Sequence, residues 1–470
     1  VQKIAQLDHK YVWHPFTQMK DWLKEEPVVI IRGKGAEIWD SRGRKYLDGN
    51  SSIWTNLHGH RQPKIDRAIE RQLRNIAHSS ALGLANEPAS LLAERLVKAA
   101  GGGKPGKLRK VFFSDDGSTA MEVALKLSYE FWRRNGVAKP RFLSLNGAYH
   151  GDTVGAVSLG HIDLFHKSFS GLLFETDSVS APYCYRCPHN KAKPERADAR
   201  SYRKCQFECV RAVEEKFAAA NRKGRRFTSF VMEPRMQGAA GMIGQPDEWM
   251  TRVCHVAHSY RAHIIADEVM TGFGRVTEPE KGLFAVQQER IEPDFIALAK
   301  GLTGGYLPMA ATITTRAVFE AFLGEYQEFK TFFHGHSYTG NQLGAAAALA
   351  SLDLLENRKS LVQRTELAIV FDSELQRLWA HRCVGDIRRE GLVAGIELVR
   401  SWETREAFDL REQVGIRVCA AMARCGVLTR PIGNVIVLMP PYCSTKRQIG
   451  RMVDALQRAL NEVLPSPQIG

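Results

Sequence analysis

The chain has 470 residues, 44% apolar and 25% charged, an ordinary balance for a globular protein and a length that suits two packed domains. The net charge of +14 comes from scattered residues, and the densest basic cluster, Arg222, Lys223, Arg225 and Arg226, has no interleaved aromatics, so no nucleic-acid partner is expected. No apolar run is long enough to cross a bilayer, the first residues lack the plan of an export signal, and the nine cysteines have no disulfide-framework spacing; no membrane partner and a cytoplasmic location are expected. Because the chain opens on Val1 rather than Met, a short N-terminal piece is expected to precede it.

In chain order, short strands are expected at Val28–Arg32, Glu37–Asp40 and Lys45–Asp48, with a turn at Ser41-Arg42-Gly43, and a helical pattern begins near Pro63. Beyond Lys110, compact apolar runs alternate with amphipathic stretches. The runs are Val111–Phe113, Phe142–Leu145, Phe230–Met232, Ile264–Ala266, Phe295–Ala299 and Ala310–Thr314. Between the first two, Ala120, Val123, Ala124 and Leu127 recur at helical spacing. Such alternation predicts an α/β fold with a mostly parallel sheet. An Ala/Leu-rich helix follows Asn341, and the last strands are expected at Val393–Leu398 and Val435–Leu438.

Residues 182–226 read as a polar insertion carrying Cys184-x2-Cys187 and Cys205-x3-Cys209. Two such pairs can hold zinc, with a surface excursion bearing reduced thiols as the alternative. No metal site is expected.

Ligands of open α/β sheets gather beyond the carboxyl ends of the strands. Reading those ends gives Ser114-Asp115-Asp116-Gly117-Ser118, then Glu233-Pro234, then Asp267-Glu268, then Lys300-Gly301. Gly117 and Ser118 precede a helix, whose positive end can cradle a phosphate; a plain helix cap by Ser118 is the alternative. Asp267 can hold a pyridine nitrogen protonated, or merely cap its strand. Lys300 follows an apolar run, where an amine loses some preference for its proton and can condense with an aldehyde. Together these are the parts that pyridoxal 5'-phosphate demands.

The stretch IIADEVMTGFGR, Ile264 to Arg275, followed by LAKGLTGG around Lys300, resembles the signature of class III aminotransferases. The resemblance implies the aspartate-aminotransferase-type fold: a large domain over residues 69–335 containing the insertion, and a smaller α+β domain from 1–68 and 336–470. Further pieces resemble the branch of that class that serves biotin synthesis: WHPFTQM at Trp13–Met19, DGNSSIW at Asp48–Trp54, NGAYHGDT at Asn146–Thr153, HGHSYTGN at His334–Asn341 and TRPIGNVIVLMPPY at Thr429–Tyr442.

By that resemblance Lys300 carries the cofactor, Asp267 faces its ring nitrogen, Tyr149 stacks on the ring, and Gly117 and Ser118 bind the phosphate. Gly335, His336 and Ser337 complete the phosphate or substrate site of a neighbouring subunit, which implies a homodimer. Arg430 grips the substrate carboxylate, for which a planar guanidinium is well shaped. Phe16, Ile53 and Trp54 line the substrate pocket, with plain packing as the alternative for Phe16 and Trp54. His150, His334 and His336 lack metal-ligand spacing and are expected to shape backbone or to hydrogen-bond behind the site. The best-known branch has a tyrosine at Phe16, a tryptophan at Ile53 and Pro-Thr at His336-Ser337, so the pocket wall differs here. The expected reaction is amination of 8-amino-7-oxononanoate to 7,8-diaminononanoate, with S-adenosylmethionine narrowly ahead of lysine as donor. The rivals are another class III enzyme acting on ornithine, 4-aminobutyrate or a diamine, an aminomutase of the same fold, and a cofactor-binding protein without turnover.

Overall fold

The alternation of apolar runs builds one seven-stranded sheet in the computed structural model, which describes residues 2–102 and 106–464. Its strands are β1 (Leu108–Ser114), β2 (Arg141–Leu145), β3 (Asp177–Val179), β4 (Phe227–Met232), β5 (His263–Asp267), β6 (Phe295–Leu298) and β7 (Ala310–Thr315). They lie in the order β1-β7-β6-β5-β4-β2-β3. The pairs β6–β5, β5–β4, β4–β2 and β2–β3 are parallel, whereas β7 runs against both of its neighbours. Strands β4 to β7 are buried at every residue, which is why apolar residues dominate them. Strand β4 starts earlier than its apolar run because Thr228 and Ser229 are hidden by partners: Thr228 donates to the Arg141 carbonyl at 3.0 Å, and Ser229 bonds Ser128 at 2.7 Å.

Helix α1 (Gly117–Arg134) packs Ala120, Val123, Ala124 and Leu127 inward, as their spacing requires. Asp116 caps it through the Thr119 N–H. Behind the sheet, the Ala-rich helix Gln342–Leu355 packs closely on the helices Pro63–Asn75 and Glu87–Ala100.

A second region draws on both ends of the chain. Strands Ile30–Lys34, Glu37–Asp40 and Lys45–Asp48 are joined by Val427–Leu428, which pairs parallel with Leu47 and Asp48. The first strand lies two residues later than its β-branched run suggests, because the turn at Gly35 (φ +58°) fixes Lys34 opposite Glu37. An antiparallel sheet of Val384–Glu390, Val393–Ser401, Val435–Leu438 and Pro431–Ile432 completes this region.

The segment expected as a polar surface insertion divides in two. Residues 208–222 form a helix whose Val213, Phe217 and Ala220 are buried in the large core. Residues 182–206 form a strap over the antiparallel sheet, burying Cys184, Tyr185 and Ala199 against Val399. The strap is polar because it bonds, not because it is solvated: Arg196 donates to the Val384 and His381 carbonyls at 2.6 and 2.7 Å, and Arg186 to Glu397 at 2.9 Å. All nine cysteines are free, and among the described residues no three His, Cys, Asp or Glu side chains stand as a metal-ligand set. No described helix is long and apolar enough to cross a membrane.

Candidate active site

The carboxyl ends of β1, β4, β5 and β6 open into one cavity of about 690 Å³, whose lining includes Trp54, Ser118, Tyr149, Glu233, Asp267 and Lys300. Lys300 sits just past β6 with φ 37°, a left-handed conformation disfavoured for a residue with a Cβ. Its Nζ lies 5.0 Å from the centre of the Trp54 ring. Removal from water pushes its ammonium below the usual lysine range, although the charges of Asp267, Glu233 and Asp152 pull the other way.

Asp267, the last residue of β5, is only 4% exposed. One carboxylate oxygen accepts the Val269 N–H at 3.0 Å, which is the ordinary strand-end capping bond. The other lies 2.7 Å from His150 Nδ1, so Asp267 is more than a cap. Burial works against a charged His150, but the bond to Asp267 and its negative charge carry the imidazole above its usual range. A histidine held in this way fixes the carboxylate's orientation.

Glu233 directly follows β4 and accepts the Tyr149 N–H at 3.2 Å and the Gly238 N–H at 2.8 Å. Burial lifts its carboxyl to about 7, with His150 opposing and Asp267 assisting. The Tyr149 hydroxyl donates to Asp152 at 2.6 Å, and burial followed by that bond raises its pKa. Phe16 meets Tyr149 edge to face with ring centres 6.4 Å apart.

At the start of α1, Asp116 performs the capping, which frees Ser118 from that role. Gly117 must be glycine for contact reasons: a Cβ there would lie 2.5 Å from Val269 Cγ1. Helix-end N–H groups, a glycine and the Ser118 hydroxyl, which also bonds Thr153, fit a phosphate at one corner of the cavity. A carboxylate braced by histidine, a lysine with weakened hold on its proton, and a tyrosine ring fit the remainder of pyridoxal phosphate.

Other expected residues lie outside this cavity in the single chain. Arg430 is exposed between two short strands and makes no hydrogen bond or ion pair among the described residues. Ile53 is 47% exposed and is not part of the lining. Gly335 and Ser337 are exposed on a loop pinned by His336, whose Nδ1 lies 2.9 Å from Asp115. Reasoning from residues gave no role to Asp152, Met270 or Tyr306–Met309, which also line the cavity. Asp152 was signalled by its turn with Tyr149; the others carry no local signal.

The family model for class III aminotransferases matches residues 19–460. The adenosylmethionine-8-amino-7-oxononanoate aminotransferase of Geobacter sulfurreducens is 46% identical over 98% of both chains. The enzyme of that name from Methanocaldococcus jannaschii is 40% identical over 97% of both. A crystal structure of the Methanocaldococcus jannaschii enzyme superposes with a TM-score of 0.88 at 37% identity, covering 98% of this chain and 99% of that one. An omega transaminase from Pseudomonas jessenii in complex with PMP also gives 0.88, at 27% identity over 98% of each chain.

Proposed function

This chain belongs to the class III aminotransferases, and from that premise we propose that it aminates 8-amino-7-oxononanoate to 7,8-diaminononanoate in biotin biosynthesis, with pyridoxal 5'-phosphate as cofactor. The observation that carries this reading is full-length similarity to relatives of that name with Lys300 and Asp267 brought to one cavity. When bound, pyridoxal phosphate supplies an aldehyde that holds an amino group and a ring that takes up electrons.

Lys300 would hold the cofactor and, once its amine is released, would serve as the base that takes a proton from the substrate carbon, a task its weakened proton affinity suits. Asp267, oriented by His150, keeps the ring nitrogen protonated. Tyr149 would pack on the ring, and Gly117 and Ser118 would hold the phosphate. Trp54, Phe16 and Ile53 form the substrate wall, and Arg430 receives the carboxylate of the oxo acid.

The protein works as a homodimer in this reading. The groove of about 530 Å³ that includes Phe322, Phe329, Phe332 and Phe333, with Phe329 and Phe333 64% and 73% exposed, carries apolar surface beside charged residues such as Lys126 and Arg134, and a second copy would cover it. Gly335, His336 and Ser337 of the partner subunit then complete the phosphate end. Nine free thiols suit a cytoplasmic location.

S-adenosylmethionine is the first choice of donor, supported by the relatives' names and by the Trp54 face beside Lys300, which suits a sulfonium. Lysine is the second, because Phe16 and Ile53 offer fewer polar and aromatic contacts than tyrosine and tryptophan. Incubation with the oxo acid and each donor, following the cofactor spectrum through one half-reaction, tests both. No diaminononanoate with either donor, but turnover of ornithine or 4-aminobutyrate, would replace the substrate assignment. Arg430→Ala should weaken the oxo acid far more than the donor; equal weakening would make Arg430 structural.

A further inference from the structure

Four consecutive residues, Ser51, Ser52, Ile53 and Trp54, have φ of 53°, 50°, 59° and 70°. None is glycine, Ile53 is β-branched, and each is disfavoured in this left-handed region. Every other left-handed residue with a Cβ stands alone among the described residues. The Trp54 N–H donates to the Asn50 carbonyl at 2.9 Å and the Thr55 N–H to that of Ser51 at 3.0 Å, so the segment closes a left-handed turn. A run of this kind persists only where its surroundings hold it.

The middle of the turn is not held by burial, since Ser52 and Ile53 are exposed. Asp48 grips it instead. This carboxylate is 2% exposed, and its Oδ1 accepts the Ser52 N–H and its Oδ2 the Ser52 hydroxyl, both at 2.7 Å. His60 Nε2 lies 3.0 Å from the same Oδ2 and comes from beyond the turn, so the carboxylate is itself fixed. Burial works against its charge, but the bonds from His60 and Ser52 hold the carboxyl below its usual range. The Ser51 hydroxyl adds a bond to the Met439 carbonyl at 2.6 Å.

The turn ends on the cavity. Trp54 lines it, with its ring centre 5.0 Å from Lys300 Nζ, and a Cβ on Gly238 would lie 3.3 Å from Trp54 Cζ3. Reversing the sense of the winding would redirect the side chain at its end. We propose that Asp48 is a positioning residue for the active site: braced by His60, it holds residues 51–54 in their left-handed turn, and the turn sets the Trp54 ring over the Lys300 amine. The inference rests on the reading of Lys300 as the carrier of the cofactor.

The test measures how fast hydroxylamine strips the cofactor from Lys300, followed by absorbance, on the full-length protein loaded with pyridoxal phosphate. Trp54→Ala removes the cover and should release the cofactor well above the wild-type rate. Asp48→Ala should speed release on the order of tenfold, the scale of the charge-assisted bonds it removes, and should add nothing to Trp54→Ala. Glycine favours the left-handed turn, so adding Ser52→Gly to Asp48→Ala should slow release again by roughly fivefold, whereas it would not reverse a general loosening. Should Asp48→Ala fail to fold, Asp48→Asn keeps one acceptor oxygen and is read in the same way with a smaller rise. A wild-type rate in the Asp48 variants beside fast release in Trp54→Ala overturns the role of Asp48 alone. Fast release that Ser52→Gly does not slow makes Asp48 a general stabiliser and overturns the role as well. An unchanged rate in Trp54→Ala removes the cover over Lys300 and the inference with it. No release from any form, wild type included, defeats the reading of Lys300 itself.

Discussion

Two of the buried charge clusters among the described residues, one at the cavity floor and one around Arg388 under the strap, differ in completeness. Beneath the strap, Arg388 is 2% exposed and donates to Asp386 at 3.0 Å, to Glu397 at 2.5 Å, and to the carbonyls of Met242 and Gly241 at 2.9 and 2.6 Å. Arg186 is a second cation on Glu397, so two guanidiniums meet two carboxylates. At the cavity, Asp152, Glu233 and Asp267 outnumber Lys300 and His150, and His150 Nε2 has no hydrogen-bond partner. Displaced pKa values do not separate the two: burial lifts Asp386 and Glu233 alike to about 7, and Arg388 and His150 respectively oppose it. Ion-pair scaffolding shifts protonation as readily as catalysis does. The unbalanced cluster is the one that borders empty volume, and its excess of negative charge suits a cationic ring.

Replacing residues in each cluster should therefore give different failures. The largest effect is expected from Lys300→Ala, which removes both the amine that holds the cofactor and the base. Turnover should vanish, while borohydride reduction of the wild type followed by peptide mapping places the cofactor on Lys300; a label on another lysine would refute the assignment. Asp267→Asn keeps size but not charge, and turnover should fall on the order of a hundredfold or more with cofactor still bound. Near-normal turnover would show that another group holds the ring nitrogen. Under the strap, Arg388→Leu leaves Asp386 without its cation and Glu397 with Arg186 alone, and should cost about 3–5 kcal/mol of stability in denaturant titrations. Its activity per folded molecule should stay near that of the wild type; a specific loss of turnover would erase the contrast between the clusters.

The smallest effect concerns Glu268, next to Asp267 but turned away from the cavity to accept the N–H groups of Ala285 and Val286 at 2.6 and 2.8 Å. Burial raises its carboxyl from 4.5 to about 8. The folded chain then holds a proton that the unfolded chain releases, so its contribution is full below pH 4.5 and is lost as pH rises through about 8. Melting temperature should fall between pH 5 and 8, and Glu268→Gln should flatten part of that fall. An unchanged slope would mean that Glu268 stays ionised in the fold.

Asp267 and Lys300 were legible in the sequence because each ends an apolar run, and strand ends in a parallel sheet are where a site must open. The strap was not, because a chain that bonds through arginines and carbonyls has the composition of a solvated loop. Thr228 and Ser229 hid the true start of β4 for the same reason: polar groups satisfied by a neighbouring strand and by α1 look like a turn. Phe16, Ile53 and Arg430 were indicated by resemblance alone, and the single chain brings only Phe16 near the cavity, through Tyr149.

The reversed direction of β7 decides how the pocket wall is encoded. A parallel neighbour to β6 would need a crossover of a dozen or more residues, carrying the chain to the far edge of the sheet before it returned. Since β7 instead runs back from the end where β6 stops, the link after Lys300 never leaves that edge, and Tyr306, Leu307, Pro308 and Met309 border the same cavity. Reactive amine and adjoining wall are thus written in one uninterrupted stretch of chain, so exchanging the stretch as a cassette would transplant selectivity together with the lysine it serves.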